Sequence, residues 1–443
     1  MFTFKKQDPK FKNCLYLPIF KIKKQVLMKL YFSLFFLSFS IVSLSQVKET
    51  SPPRHIKTIA FQGNTPQAQL PILKLGEGFQ LSFDDIIGDE RDYYYTIDHY
   101  NFDWTPTNLA KGEYLHGFDD VRIDFYENSF NTLQMYSHYV LNIPNRDTRG
   151  ITKSGNYLIS IFDDRGNLQF SRKFMVYEDV ANVGVEIKRT RNLNYINTKQ
   201  VVHFTINSQS GPLINPNQNV KTLVLQNSKL SNAISDLKPQ YTLGNELVYR
   251  YDLEASFWGG NEFFNFDNSD VRGATVNIRR VEMEDTFINY LYTNISRKDR
   301  PYTYNPDING NFVVRNIRGQ KSSIDAEYVW VHFALQYYED LNDGEEIHIY
   351  GNFNNYTLDD TTRLTYDTNN DVYRLKYLFK QGFYNYKYVI KDRDGNINQG
   401  AISGNFDETE NDYTVVVYYR DLGGRFDRII GVGANNSVNI TNN

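Results

Sequence analysis

YRLKYLFKQGFYNYKYVIKDRDGN, residues Tyr373–Asn396, alternates so regularly that its reading decides the fold class. Tyr373, Leu375, Tyr377 and Phe379 share one face before Gln381-Gly382. Tyr384, Tyr386, Tyr388 and Ile390 share one face after it. An apolar residue at every second position marks a half-buried strand. Two such runs joined at a Gln-Gly step predict a hairpin. Upstream, GNYLISIFDDRGNLQFSRKFMVY (Gly155–Tyr177) predicts another, with its turn at Asp164-Arg165-Gly166-Asn167. FTINSQSGPL (Phe204–Leu213), VKTLVLQN (Val220–Asn227) and YTVVVYYR (Tyr413–Arg420) read as further strands, the last as a closing strand. QNSKLSNAISDL (Gln226–Leu237) reads as a short helix or an irregular arm.

Turn signals recur about every 8–15 residues and helical periodicity is scarce, the pattern of β-sandwiches. The composition agrees, since 34 Tyr and 31 Phe favour pleated, half-buried surfaces. With 443 residues the chain holds two or three domains. The expected architecture is all-β: three tandem immunoglobulin-like sandwiches, at 46–180, 181–320 and 321–422. A leader at 1–45 precedes them and a flexible tail at 423–443 follows.

Lys21, Lys23, Lys24 and Lys29 lead into the apolar run Leu30–Val42, and Ser43 and Ser45 offer a small-residue cleavage site before Gln46. This is the anatomy of a secretory signal, with Met28 as an alternative start. The leader carries eight Lys and one Asp, so the net −4 of the whole chain becomes −11 from Gln46 onward. Such acidity argues against nucleic acid or an anionic membrane as partner. The only cysteine, Cys14, departs with the leader, and disulfide and thiol chemistry with it. No long apolar stretch follows Val42, so membrane insertion is not expected.

No nucleophile elbow, zinc-protease helix or phosphate loop is present in the sequence, so no catalytic residue is assigned. His55, His99, His116, His138, His203, His332 and His348 show no ligand spacing. The acidic clusters at Asp267–Asp270, Asp367–Asp371 and Asp407–Asp412 lack the Gly and closing Glu of a calcium loop and read as solvated turns. No metal or cofactor is expected.

From Glu346 to Ile390 the chain resembles early-set starch-binding modules. Its G-N-F-N-N turn is followed by Tyr356, where that family places a sugar-stacking Trp. The second aromatic platform is missing from DRDGNINQG (Asp392–Gly400), so the resemblance implies the fold with a degraded sugar site. Glycan binding through this C-terminal module is the alternative functional reading.

A broader resemblance rests on motifs in order along the chain. His99–Asn145 contains D-W-x-x-T, E-Y-L-x-G-F and Y-x-H-Y-x-L-x-I-P-N, followed by S-G-N-Y from Ser154 and G-G-N-E-F from Gly259. From about Ile56 to Arg420 the chain resembles the type IX secretion plug proteins of Bacteroidetes. One departure is Phe264, where the resemblance leads one to expect a basic residue. It implies a non-enzymatic periplasmic protein, peripheral to the outer membrane. Such a protein binds a large outer-membrane translocon β-barrel and closes its periplasmic opening when no cargo is in transit. Interface candidates are Trp104, Tyr114, Phe118, Asn261 and Glu262. The competing reading for the aromatics is core packing, and for the G-G-N-E turn backbone geometry.

Overall fold

Sheets order themselves by which faces must leave water, and among the described residues seven sheets enclose three hydrophobic cores. A computed structural model describes residues 46–440 apart from 64–68, 210 and 439. The expected leader at 1–45 therefore lies outside the described residues.

The first core lies between two sheets. One runs Ile56–Gln62, Phe79–Asp85, Ser137–Ile143, Tyr126–Asn128. The other runs Ile72–Lys74, Leu168–Tyr177, Gly155–Asp163, Tyr93–Tyr100, Val121–Arg122. The Gly155–Tyr177 hairpin forms as its sequence predicts, with Tyr157 opposite Phe174. Phe61, Phe79, Phe83, Tyr93, Tyr139 and Phe174 interlock edge-to-face, the geometry aromatic quadrupoles prefer.

The second core is closed by strands far apart in sequence. Ala181–Arg189, Lys199–Ser208, Glu246–Tyr249 and Tyr241–Leu243 form one sheet. Lys229–Ser235, Val220–Gln226, Asp412–Tyr419 and Arg428–Asn436 form the other. Between Ser256–Trp258, which pairs with the first of these sheets, and Asp412–Tyr419 of the second, the chain builds the whole third sandwich, from Phe264–Asp267 to Ile397–Asn398. The third sandwich is thus inserted into the second. The 181–320 and 321–422 boundaries expected from sequence do not follow the sheets. The strand Asp412–Tyr419 closes the second sandwich, with Val415 opposite Val224. The expected flexible tail also differs: Arg428–Asn436 is a paired strand with Ile429 and Ile430 buried. Gly431 and Gly433 give it room, since a Cβ at either would sit 2.3 Å from a carbonyl oxygen of Ala181 or Val183. Gln226–Leu237 holds no helix but an edge strand, Lys229–Ser235.

The opening stretch is a corner rather than a hairpin. Val372–Lys380 pairs with Tyr328–Gln336 in one sheet. Gly382–Lys391 pairs with Phe264–Asp267, Phe312–Val314 and Glu346–Tyr350 in the other. The two runs face each other across the core, with Phe379 and Tyr384 rings 4.7 Å apart. Their apolar faces are as the alternation predicts, but a sandwich buries both only if the chain changes sheet at Gln381. Gly382 is required there, because a Cβ would lie 2.2 Å from the Val313 carbonyl oxygen.

Candidate functional site

Three places hold the candidate residues or the buried charges beside them: the N-terminal motif loop, the crossing between the second and third sandwiches, and the seam between the first and third.

In the motif loop, Trp104 takes a left-handed backbone (φ 62°) and donates its N–H to Asn101 O at 3.0 Å. Its ring is buried, with the Lys173 ammonium 4.1 Å over it. Tyr114 ends a single helical turn, Lys111–Tyr114, and joins the first core. Both are packing residues, not surface contacts. Phe118 is the opposite case, 76% exposed. Its N–H donates to Asp147 O at 2.9 Å, and the next carboxylate, Asp119, accepts from Ile97 N and Lys111 Nζ, each at 2.7 Å. The loop is pinned while the ring points out.

G-G-N-E-F, Gly259–Phe263, carries the chain out of the second sandwich into the third, beside the returning segment Ser403–Asn411. A Cβ on Gly259 would lie 1.9 Å from Phe406 O, so only glycine lets the two crossings touch. Gly260 O accepts from Phe406 N at 2.8 Å and Thr409 Oγ1 at 3.0 Å. Asn261 Nδ2 donates to Ser403 O at 2.7 Å. Glu262 is buried and accepts from Tyr302 Oη at 2.5 Å. Burial raises the Glu262 carboxyl above its usual range, and nearby Asp307 adds to the effect. Asn261 and Glu262 therefore tie the crossing together and are not presented to a partner. Phe264, in place of the expected cation, is covered by a cation from elsewhere: the Arg297 guanidinium lies 3.8 Å over its ring.

The seam was invisible in the sequence. Asp84 Oδ2 accepts from Tyr328 Oη at 2.6 Å and Lys380 Nζ at 2.7 Å, while Oδ1 meets His138 Nδ1 at 2.6 Å. All four residues are buried. Burial pushes the Asp84 carboxyl up, but Lys380 and His138 outweigh it and hold it below the usual value. Beside the seam, Phe130 N donates to Ile324 O at 2.9 Å and Leu133 N to the Glu327 carboxylate at 3.0 Å. The Phe130, Leu133 and Met135 side chains remain exposed on this anchored loop.

Tyr356 is half-buried. Its ring packs on Tyr350 at 4.7 Å with the Lys229 ammonium 5.4 Å over it. No group of His, Cys, Asp or Glu suited to a metal is found among the described residues. None of their helices is long and apolar enough to cross a membrane.

Fold and sites together define an all-β multi-sandwich protein in which the exposed rings of Phe118 and Phe130 sit on hydrogen-bonded loops. A model of the type 9 secretion system plug protein 1st domain matches residues 56–178, the span of the first sandwich. The crystal structure of a hypothetical protein from Parabacteroides merdae is 30% identical, with a TM-score of 0.83, and the match covers 88% of this chain and all of that one. A biofilm-associated protein BSP domain aligns at 9% identity and TM-score 0.17, over 88% of this chain and 61% of that one, and carries no argument. No curated protein sequence matches. The chain belongs to the type 9 secretion system plug protein family.

Proposed function

We propose that this protein binds the periplasmic opening of the type IX outer-membrane translocon barrel and occludes it when no cargo is present. It does so without catalysis, as an exported protein peripheral to the outer membrane. The observation that carries the reading is the family match over the first sandwich. Physical support comes from stiffness, because a plug must not deform under a passing load. The first sandwich is locked to the third through Asp84–Lys380. It is locked to the second through Arg428–Glu178 and the Tyr418 Oη–Asn156 Oδ1 bond of 2.7 Å. A specific contact needs roughly 1,000 Å² or more of buried surface, with a few aromatics carrying most of its energy. Phe118 is the sequence candidate that remains available for that role, and Phe130, Leu133 and Met135 join it.

The test is co-purification. The tagged protein is expressed in its native host, membranes are solubilised in mild detergent, and partners are identified by mass spectrometry. Recovery of one very large outer-membrane barrel supports the reading, and a protein recovered alone overturns it.

A further inference from the structure

An open cleft of about 920 Å³ lies between the second and third sandwiches, and no part of the plug reading uses it. Two of its lining residues are buried lysines, Lys229 (4% exposed) and Lys387 (6% exposed). Lys229 Nζ makes a single hydrogen bond, to Gln399 Oε1 at 2.8 Å. Among the described residues Lys387 Nζ makes no hydrogen bond or ion pair and has only the Phe263 ring, 4.0 Å away, against it. An ammonium with empty donors facing an open cleft is completed by water or by an anion. The protein does not supply one: Asp307 and Glu262 raise Lys387 from beyond ion-pair reach, and burial pushes both carboxyls toward neutrality. Arg297 and Lys229 only add positive charge to the neighbourhood.

The rest of the lining names the ligand's body. Asn232, Asn396, Asn398 and Asn405 offer amide donors and acceptors suited to hydroxyls. Trp258, half of whose surface is exposed, offers an aromatic face at the cleft, with Lys199 Nζ 4.5 Å from its centroid. Apolar sugar faces stack on such rings. We propose that this cleft binds a sugar acid or sugar phosphate, with Lys387 and Lys229 holding the anionic group and Trp258 and the amides holding the ring. The site is distinct from Tyr356, which does not line it.

Burial, with a smaller contribution from Lys387, lowers Lys229 to about 7, and burial lowers Lys387 to about 8. An anion is held by the protonated forms, so affinity falls as pH rises through this range. The other charges sharing the lining are Lys199, Lys298, Glu339, Asp340, Glu345 and Asp392. Lys298 is already paired with Glu339.

The experiment is calorimetric titration of the full-length protein with glucuronate, glucose 6-phosphate, glucose and inorganic phosphate. Expected is saturable binding of glucuronate or glucose 6-phosphate, weakened at least tenfold by Lys387→Met and several-fold by Trp258→Ala. Glucuronate is fully ionised throughout, so a pH series on the unsubstituted protein reads the lysines directly. Its affinity is expected to fall at least tenfold between pH 6.5 and 9. Glucose binding as tightly as its phosphate overturns the proposal. So does inorganic phosphate matching the sugar phosphate, an affinity independent of pH, or no saturable binding.

Discussion

Replacing Asp84 by Asn removes one charge from the seam and leaves three neighbours in place. The amide still accepts one hydrogen bond, but the Lys380 ammonium, now 2.7 Å from a neutral atom, keeps only Ser323 O at 2.6 Å. Breaking a buried pair on one side costs about 3–5 kcal/mol, because it strands the other charge. The double variant Asp84→Asn, Lys380→Met strands nothing, and its deficit should shrink to about 1–2 kcal/mol. Burial holds the Lys380 pKa below its usual value, with Asp84 opposing. A lysine lowered in the folded state costs stability while protonated, and that cost is relieved as pH rises through its folded pKa. The single variant should therefore lose more at pH 6 than at pH 9. The assay is urea unfolding at both pH values, with limited proteolysis reporting release of the first sandwich. Asp360→Asn, on a carboxylate whose side chain is 83% exposed, is the control. A single variant no worse than this control, or a double variant as damaged as the single, would refute the reasoning.

Gly259→Ala should lower stability by about 1–3 kcal/mol or more, since the added methyl meets the Phe406 carbonyl and must part the two crossings; thermal unfolding checks it, and an unchanged midpoint contradicts the close approach. Trp104→Ala should cost about 3–5 kcal/mol in urea unfolding as a buried aromatic, whereas an interface role predicts loss of partner capture at unchanged stability. Phe118→Asp should do the reverse: stability stays within about 0.5 kcal/mol, while the yield of barrel in co-purification falls.

Strand faces were legible because they are local. The even-numbered tyrosines at 384–388 reach the core as their alternation requires. Pairing was not legible, because it is set by partners distant in sequence. Nothing around Gln381-Gly382 distinguishes a hairpin from a change of sheet; the difference lies in Val313, whose carbonyl crowds Gly382. The insertion was hidden for the same reason, since YTVVVYYR matches any closing strand and its partner Val220–Gln226 lies nearly two hundred residues upstream. Asp84 is not legible as a seam residue because alternation puts it on the outward face of Phe79–Asp85, and only docking of the third sandwich buries that face. All five interface candidates are motif residues, and four of them pack within the fold: Trp104, Tyr114, Asn261 and Glu262 are buried. The exposed Phe130, Leu133 and Met135 carry no periodic signal, so only the anchored loop around them marks them out.

Occlusion itself is tested most directly at the outer membrane of the native host. Deleting the gene should let in a large hydrophilic antibiotic that intact cells exclude, and wild-type protein should restore exclusion. The leak should vanish when the translocon barrel is deleted as well. Unchanged permeability in the single deletion, with the barrel present and assembled, would contradict the account.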